Sequence, residues 1–115
     1  MNVSAPSACT GPSEAFRIEI QPDRDRVRVA PHGELDIATA PDVAAEIDGL
    51  VERGLRTIVI DLRLTSFIDS TGVHMLLRQT ARPDATISVV DGPQSVSRVL
   101  EIAGVRDALP FEPTP

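Results

Sequence analysis

A chain of 115 residues holds one domain and one core, burying roughly two thirds of the surface its unfolded state exposes. Three Phe and no Trp or Tyr leave that core to Val, Ile, Leu and Ala, and make stacking on bases improbable. The net charge is −6, and the 11 basic residues are all Arg, so nucleic acid and anionic membranes are poor partners and Schiff-base or P-loop lysines are excluded.

Cys9 is the only cysteine, so no disulfide closes within the chain. No apolar run approaches the ~18 to 20 residues of a membrane span. The first residues lack the positive charge and apolar stretch of a signal, and a cytoplasmic, soluble protein is expected. Residues 1–14, rich in Ser, Ala and Pro, are expected to be a flexible tail, and 15–112 the domain.

Phe16-Arg17-Ile18-Glu19-Ile20 alternates apolar and charged residues, and Val27-Arg28-Val29 repeats the alternation, so an antiparallel hairpin is expected with its turn over Gln21 to Arg26, a stretch that contains Pro22-Asp23. Pro31 places an edge, a bulge or a strand end nearby. After His32-Gly33-Glu34-Leu35-Asp36 a helix starts at Thr39 or Ala40, with Pro41 in its first turn, Val43, Ile47, Leu50 and Val51 on one face, and Gly54 as its stop. Thr57-Ile58-Val59-Ile60-Asp61-Leu62 has the pattern of a strand buried on both faces. A helix carrying Val73, Leu76 and Leu77 on one face follows, then a strand over 85–90 and a third helix after Gly92-Pro93 that stops at Gly104. Residues 108–111 add a final strand or cover the core. The expected order is β β α β α β α, an α/β fold with a mixed sheet and helices packed against it.

Function concentrates at Phe67-Ile68-Asp69-Ser70-Thr71-Gly72. Asp69, Ser70 and Thr71 are all good caps, and a helix start offers backbone N–H groups to a negative oxygen. A nucleophile elbow needs a small residue where Ile68 stands, and a base; the histidines are His32 and His74, and His74, one turn beyond Ser70, has no third group to orient it. A phosphate-accepting Asp61 would need an acidic pair and a cation beside it, so Asp61 is read as a strand-end residue tying down the next loop. No metal-ligand spacing or dinucleotide fingerprint occurs, and no cofactor is expected. Two readings stay open: Ser70 as a helix cap, and Ser70 as a hydroxyl that a phosphate converts into a switch. Gly72, costly in a first helical turn, points to something approaching the backbone there.

Gly33-Glu34-Leu35-Asp36, Thr39-Ala40-Pro41, Val59-Ile60-Asp61-Leu62, Asp69-Ser70-Thr71-Gly72 and Val99-Leu100-Glu101-Ile102-Ala103-Gly104 resemble the STAS domain of bacterial anti-sigma factor antagonists. The likeness spans residues 16–111. It implies a STAS fold with a mixed sheet of four or five strands that starts with an antiparallel hairpin and is flanked by three or more helices. It also implies a non-enzymatic regulator of transcription, of the kind that serves stress responses, with Ser70 as phosphoacceptor. Unphosphorylated, such a protein binds an anti-sigma factor that is also a serine kinase and so releases a sigma factor; phosphorylation ends the complex and a serine phosphatase resets it. Asp36, Asp69, Ser70, Thr71, Gly72 and His74 are the implied partner-binding residues. Two departures stand out: His74, where many relatives carry a small residue, and Pro31, where an ordinary strand residue is usual. The alternative is a constitutive STAS scaffold or ligand sensor in which Ser70 only caps its helix.

Overall fold

Strand β1 (Arg17–Asp23) and strand β2 (Arg26–Leu35) pair antiparallel from Arg17 opposite His32 to Asp23 opposite Arg26. The hairpin is the expected one and its turn falls within the expected stretch 21–26, just past Pro22-Asp23. Both of those residues are paired, and the chain reverses at Arg24 and Asp25, with Arg24 at φ 61°. A positive φ at the first residue of a two-residue turn matches the twist of the strands it joins. The computed structural model of the protein describes residues 16–112; the expected tail over 1–14, with Cys9, lies outside the described residues.

β2 is long enough to serve two neighbours on its other side. Residues 27–29 pair in parallel with β3 (Thr57–Asp61), and residues 33–35 with β4 (Thr65–Ile68). Pro31 lies in the interval between those ladders, where its missing N–H interrupts neither. Thr65, fully buried, donates its hydroxyl to the Pro31 carbonyl at 2.9 Å and closes that interval. β4 is the one strand that the expected order lacks: the chain does not pass directly from β3 into a helix. β3 pairs in parallel with β5 (Thr86–Val90), and Phe111 forms an isolated bridge to Val89. The sheet is five-stranded and mixed, in the order β1-β2-β3-β5, with β4 beside β2.

Helices α1 (Ala40–Glu52), α2 (Ser70–Thr80) and α3 (Gln94–Ile102) cover one face. Val43 and Ile47 of α1, Leu76 of α2, and Val96 and Leu100 of α3 join Val29, Ile58, Ile60, Ile68 and Val89 of the sheet in a single apolar core. Helices α1 and α3 end as their sequence predicts. Gly54 and Gly104 take φ of 95° and 74°, a left-handed backbone that Gly adopts without strain, and Val105 donates its N–H to the Leu100 carbonyl over the end of α3.

Among the described residues the opposite face of the sheet has no helix. Val59 and Val90 are buried there outside the core cluster, beneath long charged side chains. Asp61, almost without exposed surface, accepts from Arg28 Nε at 2.6 Å, from Arg63 Nη2 at 2.8 Å and from the Arg63 backbone N–H at 3.0 Å. Asp61 therefore ties down the loop after β3, as expected. Burial opposes its ionisation, but the hydrogen bonds from Arg63 and Arg28 outweigh that and hold its pKa down to about 2.

Candidate functional site

β2 and β4 end side by side, Leu35 opposite Ile68, so the residues that follow them, Asp36 and Asp69, leave the sheet together. The Asp69 N–H donates to the Leu35 carbonyl at 3.2 Å and fixes that exit. Asp69 keeps an extended backbone, and its carboxylate accepts the Thr71 and Gly72 N–H groups at 2.9 and 3.1 Å. Asp69 is thus the N-cap of α2. The reading of Ser70 as the cap is overturned, because Ser70 is already the first helical residue. Its hydroxyl is exposed and has no hydrogen-bond partner among the described residues.

Gly72 is buried. A Cβ there would lie 2.7 Å from the Leu35 carbonyl oxygen and 2.7 Å from Ile68 Cγ1. What approaches the backbone is therefore this chain's own β2, and Gly72 seats α2 against the sheet instead of offering its surface to a partner. Asp36 is likewise turned inward on its own loop. Its Oδ1 accepts the Ala38 and Thr39 N–H groups, while the Thr39 hydroxyl accepts the Asp36 N–H at 2.9 Å and donates to the Glu34 carbonyl at 2.7 Å. Thr39 is the N-cap residue of α1, yet its side chain serves this loop and not the helix.

The outward-facing members of the expected set are Ser70, His74 and, half-buried, Thr71. Ser70 and His74, one turn apart, line a groove of about 320 Å³ between α2 and α3 whose other walls include Leu77, Val99, Ile102 and Ala103. Thr71 and His74 border a wider groove of about 820 Å³ between α1 and α2, floored by Ala44, Ala45 and Met75 and rimmed by Arg82, which pairs with Asp48 and Asp84. Apolar residues to which the sequence assigned no surface role are exposed: Ile102 at 79 %, Ile37 at 74 %, Leu64 at 50 % and Phe67 at 45 %. Their signal in the sequence is weak, since exposure depends on which strand and loop each one joins.

His32 does not meet Ser70 as a base; its Nε2 is 2.9 Å from Glu19 Oε1 across the hairpin, and this contact holds the Glu19 carboxyl below its usual range. Among the described residues no group of three or more His, Cys, Asp or Glu could hold a metal ion, and no helix is long and apolar enough to cross a membrane.

A family model described as the STAS domain matches residues 17–115. Among curated proteins, the anti-sigma-B factor antagonist of Staphylococcus aureus is 28 % identical over 80 residues, covering 67 % of this chain and 74 % of its own. The fold is that of an anti-sigma factor antagonist from Mycobacterium paratuberculosis, with a TM-score of 0.76 at 22 % identity, covering 91 % of this chain and 92 % of that one. It is also that of the Bacillus cell fate determinant SpoIIAA in its phosphorylated form, with a TM-score of 0.60 at 24 % identity over 87 % of this chain and 92 % of that one.

Proposed function

The chain belongs to the STAS-domain family, and on that premise we propose that it is a cytoplasmic anti-sigma factor antagonist whose binding is switched off by phosphorylation of Ser70. Unphosphorylated, it binds an anti-sigma factor that is also a serine kinase and thereby frees a sigma factor. The kinase transfers the γ-phosphoryl group of ATP to Ser70 Oγ, the complex dissolves, and a serine phosphatase restores the hydroxyl. The protein is a binding module and catalyses none of these steps.

The observation that carries this reading is the division of labour at the start of α2. Asp69 holds the Thr71 and Gly72 N–H groups, so the Ser70 hydroxyl is spared and faces solvent. A phosphate there brings about −1.5 to −2 of charge beside a carboxylate that already occupies those two amides. It is left to face the partner, and burying it without a matching cation costs several kcal/mol, enough to abolish a micromolar complex with the fold unchanged. Asp69, Asp36 and Gly72 set the geometry of the surface, while Ser70, Thr71 and His74 touch the partner. Reaction with the cognate kinase and ATP, followed by phosphopeptide mapping, tests the assignment: one phosphate on Ser70 is expected, and modification mainly on Thr71 would refute it.

A further inference from the structure

The outer edge of β1 is a long strand edge with no strand beside it among the described residues, whereas β5 at the other side of the sheet carries the Phe111 bridge. In a two-residue hairpin the closing pair, here Asp23 and Arg26, exchanges both backbone bonds, and bonded pairs alternate from there. Arg17, Glu19 and Gln21 therefore turn their amides toward β2, and Ile18, Ile20 and Pro22 turn theirs outward. Pro22 has no N–H, which closes that end of the edge to a partner strand. Phe16 and Ile18 pack at the margin of the core on the helical side, and Ile20 is 37 % exposed. Arg17 and Glu19 alternate onto the open face of the sheet.

We infer that this edge pairs with the same edge of a second copy of the chain, antiparallel about a two-fold axis at Ile18. In that register Ile18 faces the second copy's Ile18, Phe16 faces its Ile20, and Arg17 faces its Glu19, the last two contacts each occurring twice by symmetry. The outward amides of Ile18 and Ile20 find partners, and Phe16, Ile18 and Ile20 of both copies form one continuous strip. The neighbouring registers are excluded by the same sequence. Centring on Glu19 sets two Glu side chains directly opposite each other, and centring on Ile20 sets Ile18 against Pro22, which has no N–H to give. So short a ladder is a small interface and suits a weak, exchanging dimer. The Ser70 surface lies at the end of β4 and plays no part in it.

Sedimentation velocity of the full chain from about 10 μM to about 1 mM tests the inference, with circular dichroism melts to establish that each variant folds. Wild type should show reversible dimerisation. Arg17→Glu sets two carboxylates face to face at both symmetric contacts, and Glu19→Arg sets two guanidinium groups face to face there, so each alone should weaken association at least roughly tenfold. In their equimolar mixture a mixed pair sets the two substituted side chains, of opposite charge, against each other at one contact and the unchanged Glu19 of the first against the unchanged Arg17 of the second at the other, so opposite charges return at both contacts. The mixture should therefore form a mixed dimer about as strong as the wild-type one although neither component does so alone, and the double variant Arg17→Glu/Glu19→Arg, which exchanges the two charges and restores an opposite pair at both contacts, should also regain wild-type association. A folded mixture that associates no better than its components would contradict the register. Glu19 also contacts Arg28 and His32. If the variants carrying Glu19→Arg do not fold, the series wild type, Arg17→Gln, Arg17→Glu decides, and affinity should fall in that order. A wild type that stays monomeric throughout the range, folded single variants that associate as wild type does, or a folded double variant no stronger than the single ones would overturn the inference.

Discussion

Two places in this molecule gather acids beside helix or strand ends, and they do opposite things with them. On the open face of the sheet, Asp61 is enclosed by Arg28 and Arg63 and shares its two oxygens among their side chains and the Arg63 backbone. At the start of α2, Asp69 commits its carboxylate to backbone N–H groups and leaves the adjacent Ser70 hydroxyl exposed. A polar group whose partners all come from its own chain stabilises the fold. One that its neighbour has relieved of structural duty is available to another protein.

If that contrast is right, Asp61→Asn should have the largest effect on stability and none on partner binding. Removing the charge takes away the buried carboxylate that Arg28 and Arg63 share, and the loss should be about 3 kcal/mol in urea unfolding. A loss below about 0.5 kcal/mol would show that the network is ornamental. Gly72→Ala tests the packing beneath the site. Alanine improves helix propensity, but its Cβ meets the Leu35 carbonyl, which already accepts from Asp69 and has no room to retreat. A net destabilisation of about 2 kcal/mol is expected, and stabilisation would contradict the packing.

Compared between wild type and Asp61→Asn, acid probes the open face. The Asp61 pKa in the folded protein lies below its unfolded value of 3.8, at about 2. The stability it contributes is present above the unfolded value and is lost as pH falls through the folded one. Between about pH 5 and about pH 2 the gap between wild type and Asp61→Asn should therefore shrink by about 2 kcal/mol. A constant gap would mean that the aspartate is not held ionised by its arginines. The helix start gives the smallest and sharpest test. Asp69→Ala should lower stability by about 1 kcal/mol through loss of the cap, and Ser70→Ala by less than about 0.5 kcal/mol. The reverse order would return Ser70 to the role of a cap.

Much of this was legible in the sequence, and what was missed has local causes. The helices announced themselves through Pro41, Gly54, Gly104 and their apolar spacing, because caps and periodicity are local signals. β4 did not. Its four residues have no alternation, and it exists because β2 is long enough to pair with two strands in succession. The hairpin turn lies within the expected 21–26, but its apex was not legible, because Pro22-Asp23 is a strong turn signal whereas a φ of 61° at Arg24 is not one that a non-glycine residue advertises. At the site, three consecutive residues could each cap a helix, and only backbone geometry selects Asp69. Gly72 was correctly read as a close approach, but nothing near it in the chain marks Leu35 as the approaching group. The pairing of Asp61 with Arg28 joins residues 33 apart and has no local signature.

The central claim is that the exposed Ser70 hydroxyl, and not the fold around it, decides whether a partner binds. Calorimetric titration of wild type, Ser70→Ala and Ser70→Asp against the cognate anti-sigma factor, at two salt concentrations, tests it most directly. Ser70→Ala should bind as wild type does and escape phosphorylation, and Ser70→Asp, equally folded, should bind at least about tenfold more weakly, with the deficit easing at high salt. Equal affinity of the two variants would contradict the account.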